Sequence, residues 1–145
     1  MGRMLLNAVA ENEACTLSGA LEHDASPLLG QDAGLLVAND KIGVEVSKDR
    51  AVAFAGANVI IDFTLPAATL DNMQAARDAG AAVVLGTTGH TAVQEEVILG
   101  FTSSVPLIWA ANYSLGVNLL LNLVETAAAA LPQTFDIDIL EMHHN

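Results

Sequence analysis

The sequence predicts an α/β fold: a doubly wound parallel sheet lacking its first strand, followed by the start of a second, α+β domain. Three observations carry this. The stretches "NVIIDFT" (58–64) and "AAVVLGTTG" (81–89) are continuous apolar, β-branched runs of the kind buried on both faces in a parallel sheet. Each leads through a short turn into a helical pattern, "PAATLDNMQAARDAG" (66–80) and "TAVQEEVILGF" (91–101). "TFDIDILEMHH" (134–144) instead alternates polar and apolar residues, which reads as a half-exposed strand. The change in strand character puts a boundary near residue 114, with one domain over 1–114 and a second begun over 115–145.

Taken in order, apolar residues including Met4, Leu5 and Val9 recur at helical spacing, so an amphipathic helix is expected over 3–13. "CTLSGALE" (15–22) reads as a short strand ending in an acid, and "HDASPLLGQDAG" (23–34) as a loop punctuated by Pro and Gly. "GVEV" is a minor strand candidate. In the 66–80 helix, Pro66 stands in the first turn, where its missing N–H costs nothing, and Gly80 follows the last turn. "VPLIWA" (105–110) is the next strand, "ANYSLGVN" (111–118) the next turn, and a helix of about 14 residues then runs to Leu131. Strands alternating with helices over short links argue for right-handed βαβ units. In the half-exposed strand, Phe135, Ile137, Ile139 and Glu141 share one face, and Asp136, Asp138 and Leu140 the other.

Composition narrows the function classes. At 145 residues the chain suffices for one domain of ordinary size, and its hydrophobic fraction of 52% with only 4% aromatics predicts an aliphatic core. Seventeen acidic residues against five Lys+Arg give a formal charge of −12, which repels nucleic acid and anionic membranes alike. The run "LGVNLLLNLVETAAAALP" is interrupted by Asn118, Asn122 and Glu125 before it reaches the roughly 20 apolar residues of a membrane span. The lone Cys15 excludes an internal disulfide and, with the charge, fits a reducing cytoplasm. A soluble cytoplasmic protein is expected.

In doubly wound sheets, ligands bind beyond the carboxyl ends of the strands, so the residues after each run carry the chemistry. Glu22 ends the second element; a carboxylate there can accept both ribose hydroxyls of an adenosine, but taken alone a solvated loop acid is the stronger reading. Gly86, Thr87 and Thr88 offer backbone amides and two hydroxyls to a nicotinamide ribose or carboxamide, or they form an ordinary turn. Asn112 and Ser114 either line a nicotinamide pocket or cap the following helix, and capping is the stronger reading for Ser114. The Gly-rich turn that would hold a pyrophosphate is absent: only Met1 and Gly2 precede the first helix. His143 and His144 are neighbours on one strand and point to opposite faces, so they do not converge on one metal; no metal site is expected. A general acid or substrate anchor fits them better, because imidazole titrates near neutral pH.

Together "GALE", "LLGQDAG", "VIIDFTLP", "VLGTTGH", "WAANYSLGVNLL" and "DIDILEMHH" resemble, in order and spacing along nearly the whole chain, the dihydrodipicolinate reductases (4-hydroxy-tetrahydrodipicolinate reductases) of lysine and diaminopimelate biosynthesis. The resemblance implies a Rossmann-like cofactor domain, then a substrate domain whose sheet builds a homotetramer. It further implies reduction of a cyclic imine dicarboxylate to tetrahydrodipicolinate with NADH or NADPH. On it, Glu22 takes the ribose-binding position, and His23 stands where many members keep an arginine for the NADP phosphate, which favours NADH. Gly86, Thr87, Thr88, Ala110, Ala111, Asn112 and Tyr113 match the nicotinamide-side contacts, His143 the acid-base histidine and His144 a substrate-binding one. Members begin with a strand and a Gly-x-x-Gly-Arg-Met-Gly turn, whose end "MGR" resembles. They continue past the two histidines to a lysine and a Pro-Ser-Gly-Thr loop. A piece of such a reductase, shortened at both ends and inactive alone, is therefore expected. The alternatives are a non-catalytic binding fragment of the same ancestry, and another oxidoreductase of this fold such as a homoserine or aspartate dehydrogenase.

Overall fold

The computed structural model describes residues 1–37, 40–132, 134–140 and 142. The chain divides into two units, Met1–Ala111 and Asn112–Asn145. In the first, helix α1 (Gly2–Ala10) is followed by strand β1 (Ala20–Leu21), a 3₁₀ turn at Ala33–Leu36, β2 (Val46–Ser47), the short α2 (Arg50–Ala53), β3 (Val59–Asp62), α3 (Pro66–Ala79), β4 (Ala82–Leu85), α4 (Ala92–Gly100) and β5 (Leu107–Trp109). The second contains α5 (Leu115–Ala130).

Among the described residues all strand pairs are parallel, and they form two sheets. β1 pairs with β2, and β3, β4 and β5 form a three-stranded sheet in that order. This is the expected α/β class, and among the described residues no strand joins the two sheets. The register places Asp62 beside Leu85 and Leu85 beside Trp109, so the three strands end level.

The core lies between one face of the larger sheet and the helices α3 and α4. Ile60, Val83 and Leu85 meet Met73 and Ala76 of α3 and Ile98 of α4, with Ala53, Phe54, Ala81 and Val105 closing the cluster. In α3 the buried positions are Thr69, Asn72, Met73 and Ala76, spaced 3, 4 and 7 residues from the first, which is the stripe a helix presents to a sheet. Each fully buried large side chain here stabilises the fold by about 1.5–3 kcal/mol relative to exposure. Pro66 opens α3 and Gly80 closes it at φ 69°, the left-handed conformation glycine adopts without strain. Thr91 starts α4 with a capping box: its hydroxyl accepts from the Gln94 amide while the Gln94 side chain accepts from the Thr91 amide.

Four expectations are corrected. β3 is not buried on both faces: its residues alternate, with Ile60 and Asp62 buried while Val59 and Ile61 are 54% and 42% exposed. Ile108 of β5 is likewise exposed, because α3 and α4 cover only one face of this sheet. The strand over 15–22 shrinks to Ala20–Leu21, since β2 offers it only two residues to pair with. The first helix stops at Ala10 rather than residue 13; the Asn12 side chain accepts from the Ala14 amide, a local turn that competes with helical bonding. Residues 134–140 and 142 form no strand. Alternation alone makes no ladder, and among the described residues no strand pairs with them. Phe135, Ile137, Ile139, Leu140 and Met142 are all exposed.

Candidate functional site

The carboxyl ends of β3, β4 and β5 bring together "DFT", "GTTGH" and "AA" in the first unit. At their centre is Asp62, a carboxylate only 2% exposed. Its Oδ1 accepts hydrogen bonds from the Thr64 amide at 2.9 Å, the Thr64 hydroxyl at 2.7 Å and the Thr87 hydroxyl at 3.1 Å. Its Oδ2 accepts from Asn72 Nδ2 at 2.9 Å. Asn72 Oδ1 in turn accepts from Arg50 Nε at 2.7 Å, and the Arg50 guanidinium lies 3.7 Å from Asp71. A buried carboxylate is tolerated only when its lone pairs are met by donors, and here neutral donors meet them. The network runs from the start of α2, beside the small sheet, through α3 to the ends of β3 and β4.

The Gly86–Gly89 turn is shaped by these bonds. The Gly86 amide donates to the Asp62 carbonyl at 2.8 Å, and a Cβ at Gly86 would overlap the Phe63 ring. Thr87 is buried with its hydroxyl committed to Asp62, whereas Thr88 is exposed. Gly89 holds φ 88°. Beyond it, His90 Nε2 is 2.8 Å from the Thr69 hydroxyl, and its ring meets Trp109 edge-on at 5.5 Å between centroids. Both ends of the turn are thus tied to neighbouring elements. Ala110 donates its amide to the Leu85 carbonyl; Ala110 is half-buried and Ala111 exposed.

Glu22 follows β1 on the smaller sheet, its amide bonded to the Ser47 carbonyl at 2.9 Å. Its half-buried carboxylate accepts from the His23 amide at 2.9 Å and lies 3.9 Å from His23 Nε2. His23 Nδ1 accepts from the Ala25 amide at 3.2 Å. Asp32, farther along, binds the amides of Gly34, Ile42 and Gly43. The Ile42 amide above all, with those of Gly43 and Gly34 and the Lys41 charge, holds its carboxyl below the ordinary range against partial desolvation.

In the second unit, Ser114 caps α5 through the Val117 amide, and the Asn112 side chain accepts from the Ser114 amide at 2.7 Å. Asn118 Nδ2 donates back to the Asn112 and Ser114 carbonyls. The "NYSLGVN" run is thus a helix-starting clasp, with Tyr113 41% exposed within it. His143 and His144 lie outside the described residues. Sequence reasoning passed over Asp62, Asn72 and Thr64. The available signal was an acid ending an otherwise apolar strand, where water is excluded and a partner is obligatory.

Parallel strands ending level, with polar groups gathered just beyond them and helices packed on one face, fit a Rossmann-like α/β domain. Residues 1–113 match the family described as "Dihydrodipicolinate reductase, N-terminus", and the chain belongs to that family. It is 41% identical over 144 residues to a "4-hydroxy-tetrahydrodipicolinate reductase" of Nitrosomonas europaea, covering 99% of this chain and 53% of the relative. Proteins of the same description from Alkalilimnicola ehrlichii and Afipia carboxidovorans are 45% and 47% identical, with 99% of this chain matched to 54% and 53% of theirs. The chain spans about half the length of the curated relatives it matches. Among the described residues, no helix is long and apolar enough to cross a membrane.

Proposed function

We propose that this chain is the cofactor-binding portion of a 4-hydroxy-tetrahydrodipicolinate reductase, which uses NADH or NADPH to reduce a cyclic imine dicarboxylate to tetrahydrodipicolinate in lysine and diaminopimelate biosynthesis. The observation that carries this reading is the level ending of β3, β4 and β5 in a chain of this family, which sets the Gly86–Thr88 turn beside Ala110 and Ala111. The groups at hand suit a nicotinamide dinucleotide. Glu22 offers two carboxylate oxygens to a pair of ribose hydroxyls. Thr88 offers an exposed hydroxyl, and Ala110 and Ala111 present only small side chains to a flat ring. When bound, the cofactor supplies the hydride.

The chain's own part is to hold and orient. Glu22 fixes the adenosine end. His23 replaces a guanidinium with a ring whose Nδ1 is already bonded, so no permanent charge meets a 2′-phosphate; NADH is the preferred cofactor. Gly86, Thr87 and Thr88 contact the nicotinamide end, Thr87 through its backbone because its hydroxyl is engaged. Asn112 and Tyr113 belong to the same cofactor contacts. His143 serves as acid-base catalyst and His144 binds a substrate carboxylate when protonated. Residues 1–114 form the dinucleotide domain and 115–145 the start of the substrate and tetramerisation domain of a cytoplasmic homotetramer.

The test is NADH oxidation by the intact gene product, with the imine generated from pyruvate and aspartate semialdehyde by the preceding synthase. Oxidation that depends on the imine is expected, and none from the 145-residue chain alone. Oxidation or reduction supported instead by homoserine or aspartate overturns the reading.

A further inference from the structure

Asp62 serves the fold in a way that reaches the proposed site. By its backbone carbonyl it holds the Gly86 amide, and by its side chain the Thr87 hydroxyl, so one residue of β3 fixes the first two residues of the turn after β4. Its other oxygen is bound by Asn72, and Asn72 can donate there only with its amide oriented so that Oδ1 faces Arg50. The Arg50 contact therefore selects the amide orientation that Asp62 needs. Phe63, next in the chain, occupies the space a side chain at 86 would take.

Resting on the cofactor reading of the 86–88 turn above, we propose that Asp62 is a positioning residue for the reaction: through Thr87 it sets where Gly86 and Thr88 meet the nicotinamide. It touches neither cofactor nor substrate. A purely architectural carboxylate would need its donors but not these particular ones. Thr64 and Asn72 already supply three bonds, and the fourth comes from the turn itself. Small displacements of positioning groups cost rate rather than fold, about a hundredfold for a shift near 1 Å.

The experiment uses the intact gene product with Thr87→Val, which keeps the shape and removes the hydroxyl, Thr87→Ser, which restores it, and Asp62→Asn. Three quantities are read: kcat and KM with NADH and the imine, the deuterium isotope effect with 4-deuterated NADH, and amide hydrogen exchange across 86–89. For Thr87→Val, kcat falls about tenfold or more, KM for the imine stays near the parent's, exchange quickens at 86–89, and Thr87→Ser recovers most of the rate. If Thr87→Val only lowers the melting temperature, with kcat, isotope effect and exchange unchanged, Asp62 is architectural and the proposal falls. Should Asp62→Asn not fold, the two Thr87 variants decide alone. A parent inactive on the imine would refute the functional reading instead, and unchanged exchange at 86–89 in Thr87→Val would still overturn the positioning role.

Discussion

Helices α3 and α5 are nearly the same length, 14 and 16 residues, and they reverse the usual expectation about burial. α3 carries Asp71, Asn72, Gln74, Arg77 and Asp78, yet it buries Thr69, Asn72, Met73 and Ala76. α5 is far more apolar, and no residue in it is buried: Leu119, Leu120, Leu121 and Leu123 are each 57–59% exposed. Apolar content alone therefore does not place a helix in a core. α3 turns its buried stripe toward a sheet, whereas the unit that holds α5 offers no described sheet to receive its apolar residues. What secures the start of α5 is local, the Asn112–Ser114–Asn118 clasp.

The contrast is most easily broken at Met73, 1% exposed. Met73→Ala is expected to lower unfolding free energy by about 2–5 kcal/mol, read as a shift in the urea midpoint. A loss no larger than that of a surface substitution would mean α3 does not anchor the core. Next comes Asn72→Ala, which strands Asp62 Oδ2 and Arg50 Nε together; about 1–3 kcal/mol is expected, and recovery by Asn72→Gln would argue that geometry matters little. On α5, Leu120→Gln with Leu123→Gln should leave that same urea transition within about 0.5 kcal/mol while reducing light scattering at high protein concentration, since exposed apolar patches drive association. A large fall in the midpoint would show that the α5 leucines support the folded core after all.

The smallest effect is pH-dependent. Asp32 has a folded pKa below its unfolded value, so it adds stability above the ordinary carboxyl range, and that stability is lost as pH falls through the lowered folded value. Asp32→Asn should therefore be less stable than the parent at neutral pH and converge with it in acid. A difference that persists unchanged into strong acid would assign the effect to something other than ionisation.

Much of this was legible in the residues. The α3 boundaries follow from Pro66 and Gly80, α4 from the helical run that succeeds the Gly-Thr turn, and β3, β4 and β5 from their apolar runs, because each signal acts within a few residues. Both faces of β3 were read as buried because Val59 and Ile61 look like Ile60; what separates them is which face α3 and α4 cover, a tertiary fact. The alternation of 134–140 spelled a strand, but a strand exists only where a partner completes its ladder. At the candidate site, Glu22, Gly86, Thr87 and Thr88 were singled out by their position after a strand. Asp62 was missed since its role depends on Thr87, 25 residues away, and on Asn72 across a helix.

The chain has a single tryptophan, and it is Trp109, the last residue of β5, with its ring against His90 at the end of the Gly-Thr-Thr-Gly turn. An indole at that place is a built-in optical reporter. Its emission falls where reduced nicotinamide absorbs, so occupancy beside Ala110 would quench it by energy transfer with no label added. Because no other indole in the chain contributes background, the signal would come from one position in the fold.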